Sequence, residues 1–317
     1  MKLQSKSLAG VSALFAMFLF SRVARADTYD IYVNAAAVEG QETGSAEQPF
    51  NTIAEAITAA SSRSAGERRI YVANGTYVER FVLGESMKLT GESREGVIID
   101  GGDSKTIVTM QHNTELRSVT LDDSRRGVAV EKNSKALIKD CIIKNARDIG
   151  VEVAKTNKST RRTTVADCKI TSGGKGIYVN DEGIADINDN KIYDNNQEGI
   201  DIRSKTKGTV QGNEVYDNGE GGIEVIIGKS SVKIKNNELR NNGASGVAVQ
   251  YYKSVAKKGK ISLTNNTIKK NSHYGIVCNN PLGGKPSTDY YKKNASLKNN
   301  TIDQDEKYGT MCYFGKK

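Results

Sequence analysis

The 317-residue chain has no tryptophan, only three prolines, two histidines and four cysteines. No CxxC phrase and no Cys–His cluster occurs, which removes the usual zinc sites. Beyond the first 26 residues no apolar run is long enough to span a bilayer. The scarcity of proline and the many Asn and Gly residues favour one repetitive domain over two ordinary ones. No nucleic-acid recognition motif is present either, so a nucleic-acid partner is not expected.

What is there begins with a leader. Lys2 and Lys6 precede a mostly apolar stretch from Leu8 to Phe20, and Ala24-Arg25-Ala26 supplies small residues at a cleavage site. Residues 1–26 are therefore expected to be a secretory signal peptide, with the mature chain secreted or periplasmic and without a membrane span. The formal charge of +9 includes four bases and no acid from that leader, leaving +5 for the rest. A mild basic excess suits a partner bearing carboxylates or phosphates.

A short phrase then repeats: glycine, an aliphatic residue, a variable residue and another apolar residue. It starts at Gly127, Gly150, Gly176, Gly199, Gly222, Gly246 and Gly275, and in degraded form at Gly309. A second phrase alternates with it and places Cys141, Cys168, Asn190, Asn213, Asn237, Asn266 and Asn300 at one equivalent position. From that position to the next glycine is always eight or nine residues. Two short β-phrases per period of roughly 23 residues describe one coil of a parallel β-solenoid, which buries its apolar side only by stacking on its neighbours. The recurring Asn is expected to adopt a left-handed turn conformation and to bond to its counterparts above and below.

The expected fold is all-β, a single-stranded parallel β-helix over residues 69–317. Residues 27–68 form a cap in which Ile53, Ala56, Ile57 and Ala60 lie at helical spacing. A helix there would cover the open apolar end of the stack.

The phrases "PFNTIAEAI", "IYVANGTYVERF" and "MKLTGESREGVIIDGG" resemble the opening coils of the pectin-lyase-like superfamily, and the later repeats resemble its β-helix repeat proteins. The resemblance covers essentially the whole mature chain and implies a right-handed parallel β-helix. It implies much less about activity, because the fold hosts lyases, hydrolases, esterases, epimerases, adhesins and accessory proteins. The Asn-Thr-Asp and Gly-His-Gly phrases of polygalacturonase-like hydrolases, the Asp-Pro-His-Glu phrase of alginate epimerases and the Arg-x-Pro-x-x-Arg phrase of the main pectate lyases do not occur.

The variable residue of the glycine phrase points outward, so Glu152, Tyr178, Asp201 and Glu224 form a column with coils about 4.8 Å apart. Carboxylates this close repel unless a proton or cation lies between them. Calcium-assisted lyases of the fold use such a cluster. By that likeness Asp201, Glu224 and Glu152 are the candidate Ca²⁺ ligands, and Arg203 and Lys205, at alternate positions after Asp201, are the candidate bases. A base here needs a depressed pKa.

Every long insertion falls between a glycine phrase and the next Asn position, at residues 155–164, 251–260 and 279–294. The loops would wall a trough whose candidate substrate contacts are Tyr178, Tyr251, Tyr252, Lys257, Lys258, Tyr290 and Tyr291. Such a trough suits an acidic polysaccharide. Cys141 with Cys168, and Cys278 with Cys312, should each stack on neighbouring coils. Disulfides are open to an exported protein, but free stacked thiols are the expectation for both pairs. Three readings stand: a polyuronate lyase, a non-catalytic polysaccharide-binding or envelope protein, and a purely structural or adhesive solenoid.

Overall fold

The computed structural model describes residues 29–103, 105–255, 257–279, 288–303 and 310–312. The segment expected to be a leader, and Gly309, lie outside them. Alternate residues of each short strand are apolar, so each strand can bury one side and hydrate the other. The strands stack into three parallel sheets of eleven, ten and ten strands, and successive strands of a sheet are three elements apart in the chain. Every coil thus contributes one strand to each sheet, and a parallel β-helix results.

Sheet 1 runs from Ile31–Val33 to Ala295–Lys298, sheet 2 from Gly75–Val78 to Thr301–Asp303, and sheet 3 from Phe81–Leu83 to Thr310–Met311. The glycine phrases are the strands of sheet 3 and the Asn phrases lead into those of sheet 2. The third strand corrects the two-phrase reading. It occupies what looked like a spacer, as in Thr163–Ala166, Ile184–Asn188 and Lys207–Gln211. These strands carry no fixed Gly or Asn marker, and Lys207–Gln211 buries only Val210 fully.

Inside the coils the apolar residues stack in columns. Val151, Ile177, Ile200, Ile223 and Val247 form one such column in sheet 3, each 0% exposed. Each such side chain contributes roughly 1.5–3 kcal/mol of transfer free energy.

The Asn ladder is present, with a different division of labour from that expected. The left-handed conformation belongs to the residue before the ladder position, as at Asp189, Asn236 and Asn265, each with φ of 56°. The ladder Asn is then free to bond along the axis. Asn190, Asn213, Asn237, Asn266 and Asn300 are linked amide to amide at 2.8–2.9 Å. A second ladder joins Asn195, Asn218, Asn242 and Asn271 at 2.8–3.0 Å. Glycine at the strand start is required by space. A Cβ on Gly199 would stand 2.4 Å from Val215 Cγ1 and 2.9 Å from the Gly222 carbonyl of the next coil.

Cys141 and Cys168 continue the first ladder as buried free thiols, donating to the Lys139 and Ala166 carbonyls at 3.3 and 3.2 Å. Burial pushes the Cys168 thiol well up. The second cysteine pair overturns its expectation, because Cys278 and Cys312 form a disulfide. Their Cα atoms lie 4.8 Å apart, one coil spacing and within the range a bridge can span.

The cap is a helix, Ile53–Ser61, that buries Ile53, Ala56 and Ala60. Thr52 and Glu55 form a capping box, and Glu79 of the "GTYVERF" phrase accepts from the Ile53 and Ala54 amides at 2.9 Å. Two orphan donors at the helix start are thereby satisfied by a neighbouring coil. Among the described residues no helix is long and apolar enough to cross a membrane.

Candidate functional site

The outward column on sheet 3 has the predicted register. Glu152 pairs with Tyr178, Tyr178 with Asp201, and Asp201 with Glu224. Facing outward does not leave Asp201 exposed, however, and it is only 1% accessible. Lys175, on the coil before it, reaches across and sets its Nζ 2.6 Å from Asp201 Oδ2 and 2.6 Å from Glu198 Oε2. Arg203 stands 3.6 Å from Asp201 Oδ1 and lies over the Tyr252 ring. The result is an interlocked cluster of two cations and two carboxylates on a half-covered surface.

Lys175 is the residue the outward-column argument missed. It precedes its repeat glycine directly, the position that Glu198 holds one coil later. A second column read at that position would have found it, because charged side chains there lean over the strand they precede.

Neither candidate base is free to accept a proton. Burial acts to lower the Arg203 pKa, but Asp201 and the neighbouring phenols outweigh it and the net shift is upward. Lys205 is not on the face of Asp201. The strand ends at Ile202, and Lys205 sits in a turn with φ of 61°, its Nζ 2.8 Å from Glu182. That bond raises its pKa. Lys175 is likewise raised, its carboxylate partners overcoming burial.

The carboxyls are raised as well, which for them favours the neutral form. Burial raises Asp201 despite its bond to Lys175. Glu224 is pushed up to about 7 by burial first and then by the charges of Glu198 and Asp201. Its Oε2 accepts from Gln250 Nε2 at 2.7 Å. Glu220, beside Glu198, is raised by burial and by that neighbour. Two acceptor oxygens on this face, of Gln250 (Oε1) and Asn279 (Oδ1), are buried without a hydrogen-bond donor, and Asp201 Oδ1 has only the longer Arg203 contact. Such orphans are costly and call for an explanation.

The calcium set does not assemble. Glu152 lies two coils from Asp201 with Tyr178 between, and is held by Arg126 at 3.1 Å and Asn180 at 2.9 Å. Asp201 and Glu224 are register neighbours, but Asp201 shares the Lys175 ammonium with Glu198 instead. Among the described residues no group of three His, Cys, Asp or Glu is close enough to hold a metal ion.

The expected contact residues divide. Tyr178 is on the face, with Lys175 5.7 Å from its ring centre. Tyr252 carries Arg203. Tyr251, Tyr290 and Tyr291 instead pack on one another, with centroid separations of 4.8 and 5.9 Å. Tyr291 is 3% exposed and donates to the Asn279 carbonyl at 2.8 Å. These three are a brace for the last coils. Burial pushes Tyr290 up to about 12. Lys257 and Lys258 are exposed, and Lys257 lines a notch with Lys205 and Lys229. The loops at 155–164 and 251–260 leave between sheets 3 and 1 as predicted, while residues 280–287 of the third lie outside the described residues.

Known proteins place this architecture. The Pel9A pectate lyase superposes with a TM-score of 0.61 at 13% identity, over 88% of this chain and 77% of that one. The A-module of the Azotobacter vinelandii mannuronan C-5 epimerase AlgE4 gives 0.53 at 16% identity, over 87% and 97%. Pectin methylesterase PemA from Erwinia chrysanthemi gives 0.52 at 15%, over 90% and 94%. Identities this low establish a shared fold alone. No curated protein sequence matches the chain. The model of the right-handed β-helix region matches residues 155–317. With that match and the parallel three-sheet coil, the chain belongs to the right-handed β-helix family.

Proposed function

We propose that this is an exported polysaccharide-active β-helix protein that binds a glycan along sheet 3 and cleaves it with Glu224 as general acid. The observation that carries the reading is the Glu224 carboxyl, held near neutrality in the outward column of sheet 3 that also carries Tyr178. The half-buried Tyr178 ring offers a surface for a sugar to stack on. A carboxyl titrating near 7 is protonated often enough to donate to the glycosidic oxygen as that bond breaks, while a water adds to the anomeric carbon and gives up the proton that completes hydrolysis. Acidic polysaccharides are the favoured substrates, since the corner loops add Lys257 and Lys258.

This chemistry differs from calcium-assisted β-elimination, which needs a free base where Arg203 and Lys205 are both paired. A polysaccharide partner is in keeping with the pectate lyase and the mannuronan C-5 epimerase that share the fold at 13% and 16% identity. A purely binding role is the second reading, favoured by the interlocked Lys175 cluster, which makes the floor of the face rigid.

Incubation with polygalacturonate and with alginate separates these readings. New reducing ends without unsaturated product, falling about 10²-fold or more in Glu224→Gln, is the expected result. Ultraviolet absorbance from an unsaturated product that requires Ca²⁺ would replace hydrolysis by elimination. Retention on either polymer with no product would establish the binding role.

A further inference from the structure

The outward face of sheet 1 in the last coils carries a feature the sheet 3 site does not use. A groove of about 360 Å³ lies between this face and the helix Thr288–Asn294. Lys233 and Lys260 line it from the sheet, and Lys292 and Lys293 from the helix. Its other polar side chains include the uncharged Ser231, Ser262 and Ser296, and among the described residues no acid lines it.

The same sheet behaves differently upstream. There Lys88 pairs with Glu115 at 2.8 Å and Arg162 with Asp186 at 2.7 Å. None of the four groove lysines has an ion pair among the described residues. Like charges this dense on one surface repel, and an anion is what would relieve them.

The strand register gives the surface a period. Lys207, Ser231 and Lys260 stand in one column, and Lys235, Thr264 and Lys298 in another. In each column a lysine recurs every second coil with a hydroxyl between, so the cations repeat at roughly 9.6 Å. In an extended 1,4-linked uronan alternate sugars are flipped, so carboxylates on one side also recur every second unit. The intervening hydroxyl rung faces the sugar whose carboxylate points away.

We propose that this groove is a second site, separate from sheet 3, that binds an extended anionic polysaccharide through its carboxylates. A single-stranded nucleic acid fits less well, because among the described residues no aromatic side chain lines the groove to stack a base. The proposal rests on an acidic glycan being the partner but not on cleavage at Glu224, so the two can fail separately.

The test is calorimetric titration of the full chain with oligogalacturonate and oligoguluronate, against neutral dextran oligomers and single-stranded DNA of matched charge. Wild type should bind the uronates, with affinity falling as salt rises, and should bind dextran and DNA more weakly. K233E/K260E, and the milder K233Q/K260Q/K292Q/K293Q, should each lose about tenfold or more in uronate affinity while keeping the wild-type melting temperature. Lys88→Gln, at an ion-paired position upstream on the same sheet, should leave this affinity unchanged. Uronate affinity unaltered in both lysine variants, no uronate binding by wild type, or DNA bound as tightly as uronate would each overturn the proposal.

Discussion

Sheets 1 and 3 are built by the same coils, yet in the C-terminal half their outward faces handle charge in opposite ways. On sheet 3 Lys175 and Arg203 are committed to Asp201 and Glu198, and the group left with an adjustable proton is Glu224. On sheet 1 the groove lysines have no carboxylate partner among the described residues, and serines stand beside them. The difference separates two uses of charge in one wall. Interlocked charges position and perturb a neighbouring group, whereas unpaired charges of one sign await a ligand.

Breaking the interlock should have the largest effect. Lys175→Met leaves Asp201 and Glu198 buried without their shared cation, at a cost of about 3–5 kcal/mol. Urea unfolding would measure it, and a change under about 1 kcal/mol would mean that the cluster is dispensable. The wall beneath both faces is tested by Asn213→Ala. Asn213 donates to the Ile187 carbonyl and to Asn237, and accepts from Asn190. Losing it should cost about 2–4 kcal/mol, because several buried groups are left unpaired.

Glu224→Gln tests the adjustable proton through pH. Burial holds the Glu224 pKa above its ordinary 4.5, at about 7, so the folded state keeps the proton longer than the unfolded chain does. The associated stability is fully present below about pH 4.5 and is lost as pH rises through 7. That loss amounts to about 2–3 kcal/mol by pH 8 and should vanish in the glutamine variant, flattening the melting temperature between pH 5 and 8. The smallest effect belongs to sheet 1. Lys233→Ala with Lys260→Ala should change stability by no more than about 0.5 kcal/mol, since neither lysine holds the wall together.

Much of this was legible in the sequence, and the rest was hidden for identifiable reasons. The coil period, the ladder positions and the sheet 3 register follow from Gly and Asn, because close coil approach and amide-to-amide bonding tolerate few other residues. The third strand was hidden because its outward residues vary freely and its inward ones are few. Asp201 was found at the right place and assigned the wrong exposure, since alternation gives direction and not cover. Lys205 shows the limit of alternation itself: two residues past Ile202 the chain has already turned. The bridge between Cys278 and Cys312 depended on a Cα separation that residue spacing does not specify.

The account's central claim is that the sheet 3 face holds Glu224 as a proton donor at neutral pH. Carboxyl ¹³C chemical shifts followed through a pH titration measure this directly, with Glu224→Gln assigning the resonance. The account predicts a midpoint near 7 for Glu224. A midpoint at the ordinary value of about 4.5 would contradict it, leaving sheet 3 an interlocked wall with no acid to offer.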